Sequence, residues 1–174
     1  MHVMHDIETL GTTPGSIILS IGAVAFDPRA GLFSEFYINI DREVSMDMGL
    51  TADQSTIDWW SGQSEEAKAA LLVDPAHPKD AFQRYFDWFK SVDGVEVWSH
   101  GATFDTPLIE AVARHFRMPC PWKFWNARDT RTLYDIAGVA PDRSAGTHHN
   151  ALDDARNQAS AVMDAYDKIN VGAI

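Results

Sequence analysis

The sequence has a single cysteine, Cys120, so no disulfide within the chain is available and thiol usage gives no argument for an oxidising compartment. It has no run of about 18 uncharged apolar residues, the length a membrane-spanning helix needs. Its first residues, Met1-His2-Val3-Met4-His5-Asp6, lack the basic region and apolar run of a signal peptide. A cytoplasmic chain without a membrane anchor is the expectation. Positive charge is also scarce: 14 Lys and Arg stand against 25 Asp and Glu, a net charge of −11. That balance argues against clamping long nucleic acid along a basic groove. No internal repeat, low-complexity tract or Gly/Ser linker divides the chain, so one domain over residues 1–174 is expected. What remains is 45% hydrophobic and 11% aromatic residues in 174 positions, enough for an α/β domain with a substantial core.

Residues 2–7 and 17–26 are apolar and β-branched, and Asp27-Pro28-Arg29-Ala30-Gly31 reads as a turn into a third strand over 32–40. A polar and aromatic stretch with Trp59 and Trp60 follows. Phe82, Tyr85, Phe86 and Phe89 then recur at helical spacing within 78–92. Residues 95–98 form a short strand, and a helix starts near Pro107 with Leu108, Ile109, Val112 and Phe116 on one face. Residues 130–137 read as a short helix stopped by Gly138. Residues 151–169 read as a long one with Ala155, Ala159, Val162 and Tyr166 inward. The order βββ, α, β, α, α fits a mixed sheet flanked by helices, with a site at the sheet end.

Asp6 and Glu8 lie two apart on the first strand, so both carboxylates leave the same face while Ile7 points to the core. Taken alone, such a pair is better explained by a solvated strand face. Asp105 stands where the strand ending near Trp98 gives way to a helix, a place that delivers a carboxylate to the sheet edge; an N-cap is the plainer reading. In His149-Asn150-Ala151-Leu152-Asp153-Asp154, about 100° per residue would put His149 and Asp154 on different faces of one helix. With Asn150 as N-cap, His149 instead belongs to the loop with Gly146, Thr147 and His148, and Asp154 is fixed by the helix.

Four carboxylates from three segments repel one another unless cations separate them, and two hard divalent ions about 3.5–4 Å apart suit such a cluster. Mg²⁺ or Mn²⁺ follows as the expected cofactor. Bound cations also reverse, locally, the sign of charge that a phosphate meets. A histidine, which titrates near neutrality, suits the role of general base. The pattern points to phosphodiester hydrolysis at short or single-stranded ends.

Asp6-Ile7-Glu8-Thr9-Leu10-Gly11, Phe104-Asp105 and the His149-x-Ala151-x-x-Asp154-Ala155 run resemble, in order, the three motifs of the DEDDh 3′-to-5′ exonuclease superfamily. Further likeness to the RNase AS and DexA-like group lies in Ile18-Leu19-Ser20-Ile21-Gly22-Ala23-Val24, Thr56-Ile57-Asp58-Trp59-Trp60 and Arg128-Asp129-Thr130-Arg131-Thr132-Leu133. The resemblance covers nearly the whole chain. It implies an RNase H-like fold, a homodimer, and removal of nucleotides one at a time from a 3′ end. It assigns the metals to Asp6, Glu8, Asp105 and Asp154 and the base to His149.

Other residues carry two readings each. Thr9, Leu10 and Gly11 either admit the terminal nucleotide, with Leu10 beneath its base, or make a turn. Trp59 and Trp60 either stack on bases or pack in the core or a dimer interface. Arg128 and Arg131 either contact phosphate or pair with Asp129 or a surface carboxylate. His148 is expected in a loop, and Cys120 as a packed or idle thiol. Single-stranded RNA is the favoured substrate, DNA the near alternative, and a catalytically silent nuclease-fold binding module or a polymerase-associated proofreading subunit the more distant ones.

Overall fold

The computed structural model describes residues 1–142 and 149–171. Five strands form one sheet: β1 (His2–Thr9), β2 (Ile18–Asp27), β3 (Gly31–Asn39), β4 (Glu96–Ser99) and β5 (Ala127–Asp129). Their order is β3-β2-β1-β4-β5. The first three are antiparallel, and β4 and β5 add in parallel beside β1. This is the expected mixed sheet. The helices are α1 (Arg42–Asp47), α2 (Gln54–Ser61), α3 (Glu65–Ala70), α4 (Pro78–Ser91), α5 (Asp105–His115), α6 (Thr130–Ala137) and α7 (Ala151–Val171).

Alternation along β1 and β2 divides the apolar residues into two cores, one on each sheet face. On one side Val3, Ile7, Ile21 and Ile38 meet Phe82, Tyr85, Phe86 and Phe89 of α4 and Leu108, Ile109 and Val112 of α5. On the other, Met4, Val24, Phe26 and Trp98 meet Tyr134 of α6 and Ala155, Ala159 and Val162 of α7. The small residues of α7 let that helix lie close to β1 and β2.

Five elements differ from the sequence expectation. The aromatic stretch after β3 holds the three short helices α1–α3, each too short for helical periodicity to register. Two of them, α1 and α3, nevertheless start conventionally, with Asp41 and Ser64 accepting backbone N–H groups of the first turn. Strand β5 has only three residues and was not foreseen. Helix α5 starts at Asp105, two residues before Pro107, and Phe104 is its N-cap residue. Gly138, in the left-handed conformation, ends α6 as expected.

Candidate metal centre

β1 brings Asp6 and Glu8 onto the face covered by α7, and Asp154, in the first turn of α7, meets them there. Carboxylate oxygens of Asp6, Glu8 and Asp154 all lie within 4.8 Å of one another. The convergence depends on how closely α7 can approach the sheet. Gly22, the cross-strand partner of Asp6, lies beneath the α7 N-terminus, where a Cβ would stand 2.2 Å from Ala151 C and Leu152 N. Backbone cannot yield as a flexible side chain does, so glycine is required there. Asn150 caps the helix, its Oδ1 accepting from Leu152 and Asp153 N–H at 3.1 and 3.2 Å. Arg156 clamps the same turn to β3 through Glu35 and to Asp153.

Asp105 stands beside this trio. Pairing between β1 and β4 stops at Met4 and Trp98, short of the Ile7 N–H. The Asp105 carboxylate takes that N–H together with its own. The residue is therefore not the N-cap of α5; it joins the helix start to β1. The loop before it is pinned from β5, where Asp129 accepts from Ala102 N–H and caps α6 through Thr132. Between Glu8 and Thr9 the register with β2 shifts, a bulge that redirects the strand end.

Burial and crowding oppose ionisation of these acids. Burial raises the Asp6 carboxyl well above its ordinary range, and Asp105, Glu8 and Asp154 push it further, while the Gln158 amide works against them. Glu8 is pushed up to about 8 by burial and by Asp154 and Asp105. Burial raises Asp105 to about 7 despite two backbone N–H donors and the nearby Arg131. Divalent cations convert this mutual repulsion into attraction. A second feature agrees: Gln158 Oε1 is buried beside Asp6 with no hydrogen-bond partner among the described residues. An all-oxygen donor set with an unsatisfied acceptor at its edge fits hard divalent ions.

His149 precedes the Asn150 cap, at φ 63°. Its ring lies edge-on to Trp59, with centroids 4.8 Å apart, and 6.3 Å from Trp60. Trp60 is buried, its indole N–H donating to Thr9 O at 2.8 Å, whereas Trp59 is 46% exposed. The two tryptophans thus divide into a core residue and a surface one. Thr9 donates its hydroxyl to Gly11 O at 2.8 Å, and a Cβ on Gly11 would meet Ser16 Oγ at 2.4 Å. Both support the turn after β1. Leu10 lines a groove of about 920 Å³ with Leu19, Ile57 and Trp60.

The two candidate arginines separate. Arg128 donates to Glu96 Oε1 at 2.8 Å and to the Trp125 and Ala127 carbonyls. Because Glu96 pairs with His2 at the start of β1, this holds Arg128 toward the strand end away from Glu8. Of its two readings, the ion pair with a surface carboxylate is the one seen here, with Glu96 as the partner. Arg131 is exposed beside the site: its guanidinium is 3.8 Å from where a Gly101 Cβ would stand, and its charge acts on Asp105. Cys120 is partly buried, and that burial pushes its thiol up to about 12, consistent with an idle group. His148 lies outside the described residues. Gly22 entered the sequence reading only within the Ile18-to-Val24 run and with no role of its own, and Gln158 and Arg156 went unremarked. Gln158 had a signal, since it lies four residues after Asp154 on a helix and so shares its face.

The family of 3′-5′ exoribonuclease Rv2179c-like domains matches residues 1–166. The chain belongs to this family. It is 25% identical over 165 residues to the exodeoxyribonuclease of Enterobacteria phage T4, spanning 79% of this chain and 72% of that protein. In fold it is similar to the nuclease domain of 3′hExo, a DEDDh family member solved with rAMP, at 12% identity and a TM-score of 0.60 over 95% of this chain and 92% of that one. Pop2p of S. pombe, in its Mg²⁺- and Mn²⁺-bound form, is similar at 11% identity and a TM-score of 0.62, over 99% and 85%. Exonuclease X, solved with 5′-overhanging duplex DNA, is similar at 20% identity and 0.54, over 100% and 94%. The protein is thus a member of a 3′-5′ exonuclease family with an RNase H-like fold. No helix among the described residues is long and apolar enough to cross a membrane.

Proposed function

We propose that this chain is a 3′-5′ exoribonuclease that removes single nucleotides from single-stranded RNA, with Asp6, Glu8, Asp105 and Asp154 holding two Mg²⁺ or Mn²⁺ ions. The observation that carries this reading is the close carboxylate trio with Asp105 beside it, in which burial and neighbouring carboxylates raise Asp6 and Glu8 and burial raises Asp105. Divalent cations held there supply positive charge against the scissile phosphate and against the oxygens that enter and leave it. His149 takes a proton from the attacking water as the water oxygen bonds to phosphorus. The bond from phosphorus to the 3′ oxygen of the preceding nucleotide breaks, that oxygen takes up a proton, and a 5′-mononucleotide leaves. Arg131 is placed to neutralise a phosphate near Asp105. Leu10 and exposed Trp59 offer apolar and aromatic surface to unstacked bases, Thr9 and Gly11 shape the turn beneath them, and Trp60 supports that turn from the core.

RNA is favoured because the matching family is described by exoribonuclease activity. The T4 exodeoxyribonuclease likeness gives DNA as the second reading. A single domain, a homodimer and a cytoplasmic location belong to the same proposal, and light scattering tests the dimer. The deciding experiment is a denaturing-gel time course of matched 5′-labelled RNA and DNA single strands in Mg²⁺, Mn²⁺ or EDTA. A metal-dependent ladder shortening the RNA from its 3′ end is expected. Shortening of DNA alone transfers the assignment to the second reading, and intact strands in every lane leave a nuclease-fold binding module. His149→Ala lowers the rate by about 10²–10⁴ at neutral pH, with a smaller loss at high pH where hydroxide replaces the base.

A further inference from the structure

Gln158 projects from α7 one turn beyond Asp154 and is only 7% exposed. Its Nε2 donates to Asp6 Oδ1 at 2.8 Å. Its Oε1, the other half of the same amide, is buried with no hydrogen-bond partner among the described residues. The backbone behind it is held separately, by the Tyr134 hydroxyl donating to Gln158 O at 2.7 Å. The amide cannot turn its oxygen elsewhere without losing the bond to Asp6, and a flipped amide would set oxygen against carboxylate oxygen. A buried amide oxygen left without a donor calls for an explanation.

Both halves of the amide have a task once an ion is present. Without a cation, Asp6 lowers its repulsion with Glu8 and Asp154 by rotating away, and the Gln158 N–H resists that rotation. Magnesium loses its water reluctantly and retains several molecules when held by carboxylates. Each such water presents donors to its surroundings, and an acceptor beside Asp6 is placed to receive one. Groups that orient metal ligands in this way tune metal affinity without touching the ion. We propose that Gln158 is a positioning residue of the metal centre, its amide nitrogen fixing the Asp6 carboxylate and its amide oxygen accepting a hydrogen bond from a water that enters with the ion. This rests on the reading that Asp6, Glu8 and Asp154 hold divalent metal.

The test is calorimetric titration of Mn²⁺ into the nucleic-acid-free protein, for wild type, Q158M and Q158N. Methionine keeps the chain length and apolar packing but supplies no amide; asparagine keeps the amide and withdraws it by one methylene. Q158M is expected to weaken Mn²⁺ binding by about 10- to 100-fold. In EDTA it melts at or above wild type, because no amide oxygen is then left without a donor. At saturating Mn²⁺ its kcat returns to within several-fold of wild type, which places the defect in metal dependence. Q158N falls between the two. Wild-type Mn²⁺ affinity in folded Q158M overturns the proposal; if Q158M does not fold, wild-type affinity in Q158N does so. Failure of the wild-type protein itself to bind Mn²⁺ removes the metal reading instead.

Discussion

His5 and Asp6 are adjacent on β1, point to opposite faces of the sheet, and treat buried polarity in opposite ways. His5 is fully buried with both ring nitrogens engaged, Nδ1 with Tyr85 Oη and Nε2 with Thr106 Oγ1, each at 2.8 Å. Burial lowers it to about 3, so it stays neutral and closes a network joining β1, α4 and α5. Asp6 shares its space with carboxylates that oppose its charge, and its amide donor Gln158 remains half satisfied. A polar group with every partner present builds the fold. A set that lacks its counter-charge is instead built for something the chain must acquire.

Replacing a ligand tests this contrast most severely. Asp154→Asn is expected to abolish nearly all turnover, measured on labelled RNA, because the proposed metal site loses a charged ligand. In EDTA near pH 8 the same variant melts higher than wild type, since one source of repulsion is removed. The pH dependence of wild type has a matching sign. Glu8 and Asp105 ionise at about 8 and about 7 in the fold against 4.5 and 3.8 as ordinary values. Their contribution to stability is therefore full below about pH 4 and is lost as pH rises through 7–8. Metal-free protein should show a Tm falling between pH 5 and 8, and saturating Mn²⁺ should abolish the fall. A Tm in EDTA that is flat over that window would contradict the assigned crowding.

Gly22→Ala disturbs the same centre without removing a donor. Pushing the α7 backbone off β2 moves Asp154 relative to Asp6 and Glu8, and displacements near 1 Å cost about 10²-fold in rate. Overpacking adds a stability loss of about 1–3 kcal/mol, read by denaturant unfolding. Activity within a few-fold of wild type would show that α7 tolerates the shift. On the other face, His5→Leu deprives the Tyr85 and Thr106 hydroxyls of their shared partner and is expected to cost about 2 kcal/mol or more. The depressed His5 value makes native stability fall as pH drops from 6.5 toward 3, and the leucine variant should lose that part of the acid limb.

How much of this was legible beforehand follows from range. Asp6 and Glu8 were readable as a pair because strand alternation is local, and the Asn150 cap separated His149 from Asp154 because helix geometry is local. The two cores follow from the same periodicities. Helices α1–α3 escaped because six to eight residues carry little periodic signal, and β5 because three residues carry none. Asp105 was placed in the right loop, yet its bond to the Ile7 N–H depends on where β4 stops pairing, which no spacing reveals. Gly22 needed its cross-sheet neighbour to be known before its lack of a Cβ had meaning.

The arginines give the finest version of the comparison, because sequence treated them alike. Arg128 is satisfied by Glu96 and two carbonyls, as His5 is by its hydroxyls, whereas Arg131 lies exposed near the acids. A charge-assisted contact to phosphate is worth about 1.5–3 kcal/mol, so Arg131→Ala should lower kcat/KM about tenfold or more, with the loss shrinking at high salt. Arg128→Ala removes a partly exposed ion pair and is expected to change stability by about 0–1 kcal/mol, leaving kcat/KM near wild type. Steady-state kinetics on a short labelled RNA at two salt concentrations separates the pair. Equal losses for both would mean that Arg128 leaves Glu96 when substrate binds, and that a fully paired cation is no guide to a purely structural role here.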